Sequence, residues 1–204
     1  MVYLKLEKTD FEILGFMAKN LETEYSIKQL SDLLKRPYVK IYKSIKRLEA
    51  KKIIKLEVKG KSHYCSFDYK NNIEILCLIS FNRALKFLEK NKKIKVFISE
   101  LKEKIDFPDY TLLIFGSFAG GNADKNSDVD IAIITPVENK ENAERVINSL
   151  KRISVLKIHS FEFSYKEFIE MLKAKDSNVA KEIIKNNIIF KGAEQFYNCW
   201  TLTR

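Results

Sequence analysis

Apolar residues Phe11, Leu14, Phe16, Met17 and Leu21 recur at near-helical spacing behind Thr9 and Asp10, either of which suits a cap, and predict a first helix over about 10–20. Ser26 caps a short second helix with Ile27, Leu30, Leu33 and Leu34 on one side, ended by Pro37. A third helix follows with Val39, Ile41, Ile45 and Leu48 inward, and IIKLEVKGKSHYCSFDY then reads as two short strands about a tip at Lys59-Gly60-Lys61. From Asn71 to about Ile105, residues such as Ile75, Leu78, Leu85, Ile94, Phe97 and Leu101 predict one or two helices with a break near Asn91. Thr111–Phe115 and Ile131–Ile134 are apolar runs of buried-strand type. After Pro136, NKENAERVINSLKRI reads as a helix and VLKIHSFEFS as a third strand with alternating exposure. The tail has helical spacing at Phe168, Ile169, Leu172, Val179, Ile183 and Ile184, then a strand-like Ile188-Ile189-Phe190 stopped by Gly192.

A length of 204 residues suits one large or two small domains, and 46% hydrophobic residues supply a core. No apolar run reaches the roughly 18 residues of a membrane span, and the start MVYLKLEKTDFEIL is charged where a signal peptide is apolar. The expected place is the cytoplasm, with no membrane contact. Cys65, Cys77 and Cys199 are odd in number and lack CxxC spacing, against both a disulfide framework and a thiolate zinc site.

The formal charge of +10 is concentrated: residues 1–70 hold 16 Lys+Arg against 9 Asp+Glu, and residues 71–204 hold 21 against 18. Residues 35–61 alone carry 11 basic side chains against Glu49 and Glu57. An anionic partner for the first third follows. Three helices before a basic-tipped hairpin resembles a winged helix-turn-helix, over roughly residues 8–69. That resemblance implies a third helix in the major groove of double-stranded DNA, with Tyr38, Lys40, Lys43, Ser44, Lys46 and Arg47 facing the duplex. Lys59 and Lys61 would lie near phosphate. The other reading of the same face is a solvated basic surface on a protein-interaction module. With 31 Lys and 6 Arg, phosphate contact outweighs base reading, because Lys acts as a point charge.

The chemistry lies in LLIFGSFAGGNADKNSDVDIAII. A strand ends at once in Gly116-Ser117, where a missing Cβ admits a phosphate and a hydroxyl adds a donor. Asp128 and Asp130, two apart on a strand, leave one face and can share hard cations with phosphates and waters. Alone, a Gly-Ser is usually a turn and a DxD a solvated strand end; their order is what specifies a site. This arrangement resembles the GS-x(10)-DxD signature of the DNA polymerase beta-type nucleotidyltransferases, above all the minimal ones, some of which are antitoxin-like partners of HEPN proteins.

The resemblance implies transfer of a nucleoside monophosphate from an NTP such as ATP to an acceptor hydroxyl with two Mg²⁺ ions. Asp128 and Asp130 would hold metal, and Gly116, Ser117, Lys125 and Ser127 the nucleotide. Glu162, the only acid in the third strand, is the expected third catalytic carboxylate, with solvent exposure as the blander alternative, and His159 is the competing general base. Many relatives carry Arg or Lys between the small residue and the second glycine, where this chain, with Ala119-Gly120-Gly121, has Gly120, which weakens the case for tight phosphate binding. Phe196, Tyr197 and Trp200 either stack a base or pack in the core.

The expected fold class is α+β: a winged helix-turn-helix over 1–70, a helical connector over 71–105, and a nucleotidyltransferase domain over 106–204 with a short mixed sheet flanked by helices. Two alternatives accompany the enzyme reading: a DNA-binding transcriptional regulator whose second domain only senses nucleotide or binds a partner, and an antitoxin-like enzyme modifying a HEPN protein. Oligomeric state, including a homodimer, stays open.

Overall fold

The computed structural model describes residues 5–60, 62–124 and 127–203. The chain divides into two compact units, Met1–Ile79 and Ser80–Arg204.

In the first unit, α1 (Lys8–Met17), β1 (Tyr25–Ser26), α2 (Ile27–Leu34) and α3 (Tyr38–Ala50) precede a hairpin of β2 (Ile54–Lys59) and β3 (Ser62–Phe67). Ser26 starts α2 through a reciprocal capping box: its Oγ accepts from Gln29 N at 3.1 Å, and Gln29 Oε1 accepts from Ser26 N at 2.7 Å. The sheet runs β1-β3-β2, all antiparallel, with Tyr25 opposite Cys65 and Leu56 opposite Cys65 on its other side. β1 is too short to show any periodicity; its pairing to β3 is what creates it. Ile13, Leu14, Leu30, Ile41, Ile45 and Leu48 form the core. Leu33 and Val39, expected inward, are 55% and 62% exposed, because Leu33 lies about a quarter of a turn and Val39 about half a turn off the buried stripe of its helix.

Helix α4 (Ile73–Lys90) follows and contains the division between the units. The second unit then runs through α5 (Lys92–Lys104), β4 (Thr111–Phe115), the short α6 (Gly116–Gly120), β5 (Val129–Thr135), α7 (Lys140–Ile153) and β6 (Ile158–Ser164). It closes with α8 (Tyr165–Lys173), α9 (Val179–Lys185), β7 (Asn187–Lys191) and α10 (Ala193–Thr201). The four strands make a mixed sheet in the order β6-β5-β4-β7, with β5 and β6 parallel and the other neighbours antiparallel.

Strand pairing decides which residues share a side of this sheet. Leu112, Ile114, Ile131, Ile133 and Phe190 face one way and bury against Phe97, Ile98 and Leu101 of α5 and Ala143, Ile147 and Leu150 of α7. The other face begins with Phe115, Phe161 and Phe163, and Phe168 and Phe196 continue the ring contacts from α8 and α10. Phe196 and Tyr197 are therefore core residues, and Trp200 is 4% exposed. Cys65 and Cys199 are buried, and burial pushes their thiols up to about 12 and about 11. Among the described residues no helix is long and apolar enough to cross a membrane.

Candidate active site

Strand β4 ends at Phe115, and the chain passes directly into α6 through Gly116 with φ at +67°. Phe115 pairs with Asp130 on β5, Asp130 pairs with His159 on β6, and Phe115 pairs with Asn187 on β7. One row of residues thus crosses four strands, with Asp130 at its centre. Its carboxylate lies against Gly116, where a built Cβ would overlap Oδ2. Gly116 is needed twice over: for its left-handed backbone and for the space that Asp130 fills.

Asp128, immediately before β5, is exposed, whereas Asp130 is half-buried. Burial raises the pKa of Asp130, His159 opposes the rise, and the carboxylates of Asp128 and Glu182 add to it. His159 Nδ1 stands 3.5 Å from Asp130 Oδ1, with most of the side chain exposed and its ring tilted against Phe161, the centroids 4.4 Å apart. Sequence reasoning missed Glu182. It reaches this neighbourhood only because α9 packs beside the site, and nothing in its local spacing distinguishes it from a solvated helix residue.

Glu162 is corrected by the register. It pairs with Ile133, three residues along β5 from Asp130, and an odd step puts it on the opposite face of the sheet. There it sits near Ser160, Lys151, Lys140 and Glu144, and burial raises its pKa. Ser127 is engaged within its own loop. Its hydroxyl donates to Asp124 Oδ1 at 3.1 Å and accepts from Asp124 N at 2.9 Å, so it closes its own loop. Ser117 is half-buried in the first turn of α6. Lys125 lies outside the described residues.

Among the described residues no three His, Cys, Asp or Glu side chains converge to hold a metal ion. The donor set still fits a hard divalent cation of the Mg²⁺ kind, which keeps several waters and uses one or two carboxylates with substrate phosphates. Asp128 and Asp130 are the two carboxylates at hand for such a role.

The basic face of the first unit also needs revision. Arg47 points inward: its Nε and Nη2 donate to Asp10 at 3.0 and 2.7 Å, and its Nη1 is 3.1 Å from Glu7. Ser44 is buried and accepts from Arg47 at 3.1 Å. Neither faces outward, because α3 packs on α1 along that edge. Lys46 is paired with Glu49 at 2.8 Å and Lys59 with Glu24, while Tyr38, Lys40 and Lys43 stay exposed. Lys61 lies outside the described residues.

Residues 94–190 match the family model of the nucleotidyltransferase domain. The match spans α5 to β7, the whole four-stranded sheet, and supports nucleotidyl transfer as the general chemistry of this unit. No curated protein and no solved structure matches the chain.

Proposed function

We propose that the second unit transfers a nucleoside monophosphate from an NTP to an acceptor hydroxyl, and that the first unit is a winged helix-turn-helix that binds double-stranded DNA. The observation that carries the first half is the fit of the Asp130 carboxylate against Gly116, which makes the Gly-Ser turn and the acidic pair one structure. A phosphate beside Gly116 lies next to the Asp130 carboxylate, so a cation between the two is part of the reading, and the Ser117 hydroxyl and the amides of α6 supply donors. Asp128 and Asp130 would hold Mg²⁺, which when bound neutralises triphosphate charge and favours the attacking alkoxide. The acceptor oxygen would form a bond to the α-phosphorus as the bond to the leaving pyrophosphate breaks, with the hydroxyl proton passing to solvent. His159 steadies the orientation of Asp130, and the rings of Phe115 and Phe161, 5.5 Å apart, supply an apolar floor.

Incubation with each labelled NTP, Mg²⁺ and a pool of protein and RNA acceptors tests this reading. Label moved by the wild type and not by Asp128→Ala/Asp130→Ala supports it, and the labelled species names the acceptor, a HEPN-type protein included. Transfer at the wild-type rate by that variant removes the metal-site assignment. The regulator reading, in which the unit only binds nucleotide, draws on Gly120 standing where a basic residue would meet phosphate and on the two-carboxylate donor set. Nucleotide binding with no transfer to any acceptor favours it.

On the DNA side, the exposed Tyr38, Lys40 and Lys43 of α3 carry the proposal. Lys46 and Lys59 join after giving up Glu49 and Glu24. Binding of the full chain to duplex DNA should weaken steeply with salt.

A further inference from the structure

A second concave site, sharing no residue with the Gly116–Asp130 row, lies between the end of α8, α9 and α10. Its volume is about 540 Å³, within the range of pockets that hold small organic ligands. Lys173, Lys175, Lys181 and Lys185 line it, and no acidic side chain does. Leu172, Ile184 and Trp200 contribute an apolar wall.

The lysines do not play one role. Lys181 Nζ donates to the carbonyls of Ala174, Lys175 and Asp176, the last two at 3.0 and 2.8 Å, and so clasps the turn between α8 and α9. Asn178 holds the same turn, donating from Nδ2 to Met171 O at 2.7 Å and accepting from Lys181 N at 3.2 Å. With its backbone fixed in this way, the turn presents Lys173 and Lys175 on one side of the cavity, with Lys185 of α9 also on its rim. Gathering the ammonium groups of Lys173, Lys175 and Lys185 around a concavity without a carboxylate among its walls concentrates positive potential there, which favours an anion. Lysine serves phosphate as a point charge, and an indole beside aliphatic side chains suits a flat aromatic group.

We propose that this cavity binds a nucleoside phosphate, either a free nucleotide or the terminal nucleotide of a nucleic-acid strand. The assignment is separate from the catalytic reading, since none of the cavity's walls belongs to the Gly-Ser turn or the acidic pair.

Trp200 is the chain's single tryptophan, so its emission reports on this cavity. The experiment uses the full chain carrying Asp128→Ala/Asp130→Ala, without divalent metal, which silences the first site. It is titrated with ATP, AMP, pyrophosphate and a single-stranded RNA pentanucleotide, with equilibrium dialysis of the labelled ligands alongside. The expected result is a saturable change in emission with a nucleotide or the pentanucleotide, weakened about tenfold or more in Lys173→Gln/Lys175→Gln/Lys185→Gln. Lys173→Gln alone, one exposed side chain, provides a milder variant with a smaller loss. A response to ATP and AMP assigns the free nucleotide, and a response confined to the pentanucleotide assigns the strand end. Three results overturn the proposal: no binding by either readout, equal binding by the lysine variants, or a response to pyrophosphate as strong as to ATP.

Discussion

Arg47 and Asp10, 37 residues apart in the chain, meet as a two-pronged ion pair with N–O distances of 3.0 and 2.7 Å, and the Asp10 side chain is completely buried. The same carboxylate accepts from Glu7 N at 2.8 Å, so it caps α1 while fastening α3 to it. Removing either partner strands the other. Asp10→Ala or Arg47→Ala should cost the first unit about 3 kcal/mol, read as a lower urea midpoint, because a buried charge loses its counterpart. An Arg47→Ala protein with unchanged stability and lost DNA affinity would return this residue to the DNA face.

Gly116 and Gly121 both have positive φ, +67° and +81°, but only Gly116 has Asp130 against it; nothing lies within 4 Å of a Cβ at Gly121. Gly121→Ala should cost about 1–2 kcal/mol from backbone strain and keep most of the transfer activity. Gly116→Ala carries the same strain and also displaces the Asp130 carboxylate. A drop in labelled-NTP turnover of about a hundredfold or more, with the circular dichroism spectrum retained, is expected for Gly116→Ala.

Glu162 lies on the far face of the sheet from Asp130, so Glu162→Gln should leave transfer within about twofold of wild type. Its stability effect has a definite sign. Burial raises the folded-state pKa, so ionisation costs the native state stability as pH rises through and beyond the unfolded value. Glu162→Gln should therefore be the more stable protein at about pH 7, with the gap closing by about pH 4. Thermal melts at the two pH values check this.

Glu167 behaves in the opposite sense. Both its oxygens accept from Lys140 at 2.8 Å and Ser164 N donates to it, lowering its pKa from 4.5 to about 2. Its contribution is present above the unfolded value and is lost as pH falls through this window. The carboxylate is 46% exposed, so solvent screening holds the ion pair to under about 1 kcal/mol. Lys140→Met should therefore lower stability slightly at neutral pH, by under about 1 kcal/mol, with the gap to wild type closing as pH falls towards about 2, read from urea midpoints over a pH series.

Lys40 and Lys43 are exposed on α3, whereas Lys46 already has Glu49. Lys40→Gln/Lys43→Gln should reduce the slope of log K against log salt by about 1.8 for duplex binding, two phosphate contacts' worth. Lys46→Gln should change it less. Slopes from fluorescence anisotropy over a salt series decide between them.

Much of this protein could be read locally, and the limit of that reading is physical. Ser26 with Gln29, the apolar runs of β4 and β5, and Asp128 two residues before Asp130 act through neighbours in sequence, so their patterns suffice. Which side of α3 faces α1 depends on Asp10 as the partner of Arg47, and a charge pattern cannot announce a partner 37 residues away. Alternation placed Glu162 with Ser160 on one face of β6, yet the face that meets Asp130 carries His159, because strand register is set between strands. Glu182 and the lysine-lined cavity arise likewise, from helices packed together after the sheet forms. Side-chain chemistry and its short-range spacing belonged to the sequence; which groups meet across strands and helices was settled only by tertiary packing, where one residue of slip reverses a face.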